Sequence, residues 1–218
     1  MKSGDLVFLD TAEGSELFHS AEVKNHFWSV GRYFETQLFL TYCGIASSVM
    51  VLNSLAIDAP EDPQIYPYTM FTQENIFTHN VLQRRRPLDV EMGGNTLEQL
   101  ADILDALDVE VETYFGADYD LNRCREILIE SLQHDGKRII LDFNRRVFNE
   151  EGAGHFSPVA AYHRAEDRFL VMDVARFKLP PCWVKAELLH DALVEIDPTS
   201  QKSRGFLTVA AKERSGTA

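Results

Sequence analysis

Near Lys137 the hydrophobic pattern of this 218-residue chain changes period. Before that point apolar residues recur at helical spacing. Leu97, Leu100, Ile103, Leu104 and Leu107 form one stripe, and Leu121, Cys124, Ile127, Leu128 and Leu132 form another. After it, β-branched and aromatic residues alternate over 138–143, 155–163, 169–174 and 205–210, which is the pattern of strands. Alternating strands and helices would build a parallel sheet. A helix-rich half followed by a run of strands builds an antiparallel one, so the expected fold class is α+β. Ala165-Glu166-Asp167 reads as a hairpin connection between two of the strands.

Residues 15–21 and 23–34 are short amphipathic candidates, and 42–56 is apolar on nearly all sides, which places it in the core as a buried central helix. Thr96 with Gln99 three residues on is a capping box. Residues 109–115 alternate as a strand, and a second capped helix begins near Asp120 and stops at Gly136, which makes Cys124 a core residue. Arg84-Arg85-Arg86, followed by Pro87, Asp89 and Glu91, reads as a solvated turn. No repeat or linker divides the chain, so 1–218 is expected to be one domain with 212–218 frayed.

The formal charge of −13 comes from acidic residues spread along the chain and argues against nucleic acid as a partner. Apolar runs fall short of the roughly 20 residues of a membrane span. Asp5 stands early, with no basic-then-apolar leader pattern. The expectation is a soluble, cytoplasmic protein, with a leader removed from the N-terminus left open. Three cysteines, Cys43, Cys124 and Cys182, with no close pair, argue against disulfides and against a thiolate zinc site. Gly-x-Ser-x-Gly, the phosphate-cradling Gly-x-x-x-x-Gly-Lys, His-Glu-x-x-His and Cys-x-x-Cys are all missing.

Four separated residues could carry chemistry. Cys43 stands at the start of the apolar helix, where unpaired N–H groups and the helix dipole favour a thiolate. Position alone leaves an inert core thiol open. Gln37, six residues earlier, could join the Cys43 N–H in binding an oxyanion, or be a surface residue. His155 follows Gly152-Ala153-Gly154 at a loop-to-strand junction, and Asp173 interrupts the apolar run 169–172. A buried carboxylate needs a partner. On adjacent antiparallel strands, about equidistant from Ala165, the two could meet. One imidazole nitrogen would be held and the other left to take a thiol proton. A purely structural His–Asp pair is the other reading.

These residues resemble the catalytic domain of phytochelatin synthase. The resemblance rests on Thr36-Gln37, Tyr42-Cys43-Gly44-Ile45-Ala46-Ser47, Gly154-His155-Phe156-Ser157-Pro158 and the run from Asp173-Val174-Ala175-Arg176 to Pro181. It implies a papain-like fold and a Cys43–His155–Asp173 triad with Gln37 at the oxyanion position. The implied substrate is glutathione, cleaved at its Cys–Gly bond through a γ-Glu-Cys thioester that passes to a second glutathione or to water. Asp197 and Arg204 would hold the two charges of the γ-glutamyl group, and Gly154 and Phe156 would also contact substrate. Read from the residues alone, Asp197 is a turn residue and Arg204 a surface cation.

No cofactor is implied for the chemistry and no resident metal site. Cadmium or zinc would enter as metal–thiolate substrate or activator, and a homodimer is allowed. The chain departs from the plant pattern in lacking a Cys-rich extension and in having Cys182 where histidine is usual. Short bacterial relatives tend toward hydrolysis, which makes deglycylation the safer expectation. Two rival readings stand beside this one: a papain-like peptidase of other specificity, and a metal-binding module that uses Cys43, His155 and Asp173 as ligands.

Overall fold

The computed structural model describes residues 6–212. The chain runs β1 (Leu6–Phe8), α1 (Ala12–Ser20), α2 (Asn25–Gly31), α3 (Cys43–Ser54), α4 (His79–Leu82), α5 (Pro87–Gly93) and α6 (Leu97–Asp105). It continues through β2 (Val109–Phe115), α7 (Leu121–Gln133), β3 (Lys137–Asn144), β4 (Gly154–His163), β5 (Arg168–Val171), β6 (Cys182–Lys185), α8 (Ala186–Val194) and β7 (Gly205–Ala211). The strands form one antiparallel sheet in the order β1-β6-β5-β4-β3-β7-β2. The expected α+β class holds.

The central strands are buried on both sides, and their side chains alternate between two cores because successive Cβ atoms point to opposite faces. Ile140, Phe156 and Ala160 join α3 and α6 on one face. Ile139, Leu141 and Val159 join α7 and α8 on the other. In α3 every residue from Cys43 to Asn53 is buried, as its lack of a polar face requires. The capping box at Thr96 forms as read, with Gln99 N–H donating to the Thr96 hydroxyl and Thr96 N–H to the Gln99 side chain. Asp120 caps α7, which buries Cys124.

Several boundaries differ from the reading. Helix and sheet are less segregated than expected. The helix-rich half contributes β1 and β2, which pair with β6 and β7, and α7 and α8 cover the second face. The sheet is apolar on both faces, so both need cover. The segment 23–34 shortens to α2 because Val23 bridges Tyr162 of β4. Arg86 is not simply a solvated turn residue: its guanidinium bonds Asp89, and Pro87 opens α5 at a position where no N–H is needed. β6 and α8 went unread. The hairpin at Ala165 forms, with Asp167 at φ 49° and clamped by Arg125 at 2.8–2.9 Å. Apart from Lys212, the expected frayed tail 212–218 lies outside the described residues. No helix among the described residues is long and apolar enough to cross a membrane.

Candidate active site

Cys43 occupies the first turn of α3, after Tyr42, which makes no side-chain cap. The first-turn N–H groups have no partner within the helix and present partial positive charge to the thiol. Gly44 lets this turn press against the sheet: a Cβ there would come within 3.0 Å of Leu100 and 3.4 Å of Phe156. An alanine there would crowd Leu100 and the ring of Phe156, which follows His155 on β4.

His155 is buried, and its Nε2 lies 2.9 Å from Asp173 Oδ1. With Nε2 engaged, Nδ1 is the nitrogen left to act on Cys43, and the two groups perturb each other's pKa. The Phe143 ring meets the imidazole edge-on at 5.5 Å and limits its rotation. Asp173 lies two residues beyond β5 rather than within a strand, a correction to the sequence reading. Met172 N–H still donates to Pro158 O at 2.9 Å, so the ladder's direction persists and the His155–Asp173 contact runs diagonally across it.

Asp173 is more strongly bound than a His–Asp pair requires. Arg145 Nη2 donates to both its oxygens, at 2.8 and 2.6 Å, and Ala175 N–H donates to Oδ1 at 2.8 Å. Arg145, itself buried, also pairs with Glu150. Arg145 was missed in the sequence because it sits beside Arg146 in what reads as a polar loop.

Burial raises the Cys43 pKa, but the hydrogen bond and charge of His155 and the Phe156 N–H outweigh it, and the thiol is held below its ordinary value. Burial also works against a charged His155, yet Asp173 and Cys43 raise its pKa above the usual imidazole value. Burial of Asp173 is likewise overcome, by His155 and Arg145, so its carboxyl is held low. The three shifts together favour a thiolate–imidazolium pair backed by a carboxylate. Cys124 is pushed up by burial to about 11, and Cys182 is pushed up further by burial and by Asp173 and Glu150. Of the three thiols, only Cys43 has surroundings that activate it.

Gln37 is buried, and its N–H donates to Val174 O at 3.0 Å, which ties the segment before α3 to the residue after Asp173. Its side-chain Nε2 donates one proton to Phe39 O at 2.7 Å and keeps a second. Gln73, 4% exposed, clamps the same segment: Leu38 N–H donates to its Oε1 and its Nε2 donates to Thr36 O, both at 2.9 Å. Gln73 carries no local signal, because its contacts span more than 30 residues.

Asp197 and Arg204 come together in the turn before β7, with Arg204 Nη2 3.7 Å from Asp197 Oδ1. Both are buried, so Arg204 is not a surface cation. Its guanidinium lies across Gly154, where a Cβ would come within 2.1 Å of Nη1. Arg204 Nη1 also donates to Asp142 Oδ1 at 2.7 Å. Asp142 was missed too, although it breaks the apolar run of β3 as Asp173 breaks its own. Phe156 contributes through its backbone, since its ring is in the α3-side core.

Among the described residues no three His, Cys, Asp or Glu side chains are grouped to hold a metal ion. In the candidate ligand set Cys43, His155 and Asp173, the carboxylate oxygens accept from Arg145 and lie against His155.

The sequence pattern of one family, phytochelatin synthase, matches residues 3–206. The chain belongs to the phytochelatin synthase family. Its relatives include glutathione gamma-glutamylcysteinyltransferase 2 of Arabidopsis thaliana, 32% identical over 93% of this chain and 44% of that protein. The corresponding enzyme 1 of Lotus japonicus is 31% identical over 94% of this chain and 40% of its own length. The enzyme of Schizosaccharomyces pombe is 28% identical over 91% and 47%. This phytochelatin synthase family member thus spans less than half the length of these curated relatives.

Proposed function

We propose that this chain is a single-domain, papain-like acyl-transfer enzyme that cleaves the Cys–Gly bond of glutathione and holds γ-Glu-Cys as a thioester on Cys43. The observation that carries the proposal is His155, bonded to Asp173 through Nε2 and coupled electrostatically to Cys43, with the thiol's pKa lowered and the imidazole's raised. The relatives' names, which specify γ-glutamylcysteinyl transfer from glutathione, support the donor.

In this reading the Cys43 thiolate attacks the carbonyl carbon of the Cys–Gly bond. The oxyanion that forms meets the Cys43 backbone N–H and the second proton on the Gln37 side-chain Nε2. His155 Nδ1 gives its proton to the leaving glycine amine as the C–N bond breaks. The same nitrogen then takes a proton from the acceptor, either the α-amine of a second glutathione or water, as the thioester opens. Arg204 and Asp197 face the α-carboxylate and α-ammonium of the donor. Cadmium or zinc enters as a glutathione thiolate complex, that is, as substrate. Three unpaired thiols suit a reducing compartment such as the cytoplasm.

Incubation with glutathione, followed by intact-mass measurement, should show one γ-Glu-Cys group on Cys43 and free glycine in solution. Glycine release by a Cys43→Ala protein would overturn the proposal. Arg204→Ala separates it from a peptidase of other specificity when glutathione is compared with a peptide lacking the γ-glutamyl group: turnover of glutathione should fall well beyond that of the control peptide.

A further inference from the structure

Asp142 is 1% exposed and points to the α3 face of the sheet, the face on which Ile140 meets the core. Its Oδ1 accepts from Arg204, and its Oδ2 is buried without a hydrogen-bond partner. Arg204 Nε is buried and unpartnered as well. Each charged group around Asp142 belongs to the site: Arg204 ahead of β7, Asp197 from the same turn, His155 on β4 and Cys43 on α3. Glu195 turns away to bond the Asn144 side chain. The subsite therefore holds two carboxylates and one guanidinium, with two polar atoms aimed at nothing. Burying such atoms is costly unless a ligand completes them.

A γ-glutamyl donor brings a carboxylate to this place. In the free protein, however, the Nη1 edge of Arg204 is already occupied. Resting on the reading of the donor as a γ-glutamyl compound, we propose that Asp142 competes with the donor's α-carboxylate for Arg204, so that donor binding takes up a proton at Asp142. Asp142 is then a specificity-determining residue of the donor subsite. Once protonated, it offers an O–H to the incoming carboxylate and no longer repels it.

Burial pushes the Asp142 carboxyl up to about 7; Arg204 and His155 act to lower it and Asp197 to raise it. Above that pH, Asp142 is ionised on Arg204, and a donor must displace it and bring in a proton. Below that pH, the proton is already present. Donor affinity should therefore fall as pH rises through about 7.

Calorimetric titration of Cys43→Ala protein with glutathione, in two buffers of different ionisation heat, reads this proton directly. Uptake should approach one proton at pH 8 and nearly vanish at pH 6, with the dissociation constant rising about tenfold between them. In the Asp142→Asn background, the uptake should disappear and the dissociation constant change less than about twofold, the remainder expected when no single group is linked to binding. The KM for glycine release by the wild-type chain should follow the first course. No proton uptake at pH 8 with Asp142 intact, a pH-independent KM, or uptake that survives in Asp142→Asn would each overturn the inference. Glycine release and glutathione binding both absent would instead remove the γ-glutamyl reading, and this inference with it.

Discussion

Cys43, Cys124 and Cys182 carry the same side chain and differ in what surrounds it. Burial alone raises a thiol pKa, as it does for Cys124 and Cys182, and Cys43 escapes through the His155 hydrogen bond. The active ion pair exists between the lowered pKa of Cys43 and the raised pKa of His155. The rate of glycine release should therefore rise with pH through the first and fall through the second. Asp173→Asn withdraws the charge that raises His155, so the alkaline limb should move to lower pH and kcat fall about 10²-fold or more. A profile of kcat at saturating glutathione against pH, which the change in donor affinity does not enter, checks both, and an unmoved limb would count against this role for Asp173. Arg145→Met leaves buried Asp173 and partly buried Glu150 short of their shared cation. Stability should drop by about 3 kcal/mol, or roughly 6–12 °C in Tm. An unchanged Tm on calorimetry would show that the pair is not worth its burial.

At the scale of elements, the readable features were those whose cause is local. The Thr96–Gln99 box and the Asp120 cap formed where the residues announced them, because each bond spans three positions. Thr96→Ala should lower stability by about 1 kcal/mol, or about 2–4 °C in Tm, with turnover unchanged. The segment carrying Gln37 has no regular hydrogen-bonding of its own and depends on Gln73 and Val174. Gln73→Ala should lower kcat with little change in KM, while alkylation of Cys43 by iodoacetamide proceeds at the wild-type rate. Equal loss of both rates would mean that the clamp supports α3 as a whole rather than Gln37. β6 and α8 were unread because short apolar runs such as Cys182–Lys185 fit either period.

Over the whole molecule, a formal charge of −13 makes the folded chain repel itself. Raising ionic strength from about 0.02 to about 0.3 M shortens the screening length and should raise Tm; a Tm that falls would point to exposed ion pairs such as Lys202–Glu98 as the larger electrostatic effect. Period and caps were enough to give the α+β class, the buried α3 and the β4–β5 hairpin, since each is written in neighbouring residues. The His155–Asp173 pair was legible for a related reason: Asp173 in an apolar run demanded a partner, and a hairpin put His155 within reach. Arg145, Gln73 and Asp142 act across strands or loops far apart in sequence, so only the folded sheet shows which charge faces which. The sequence by itself determined that Cys43 opens a buried helix. The tertiary structure decided that the thiol is activated, because lowering a buried pKa takes partners brought from β4 and from the loop beyond β5.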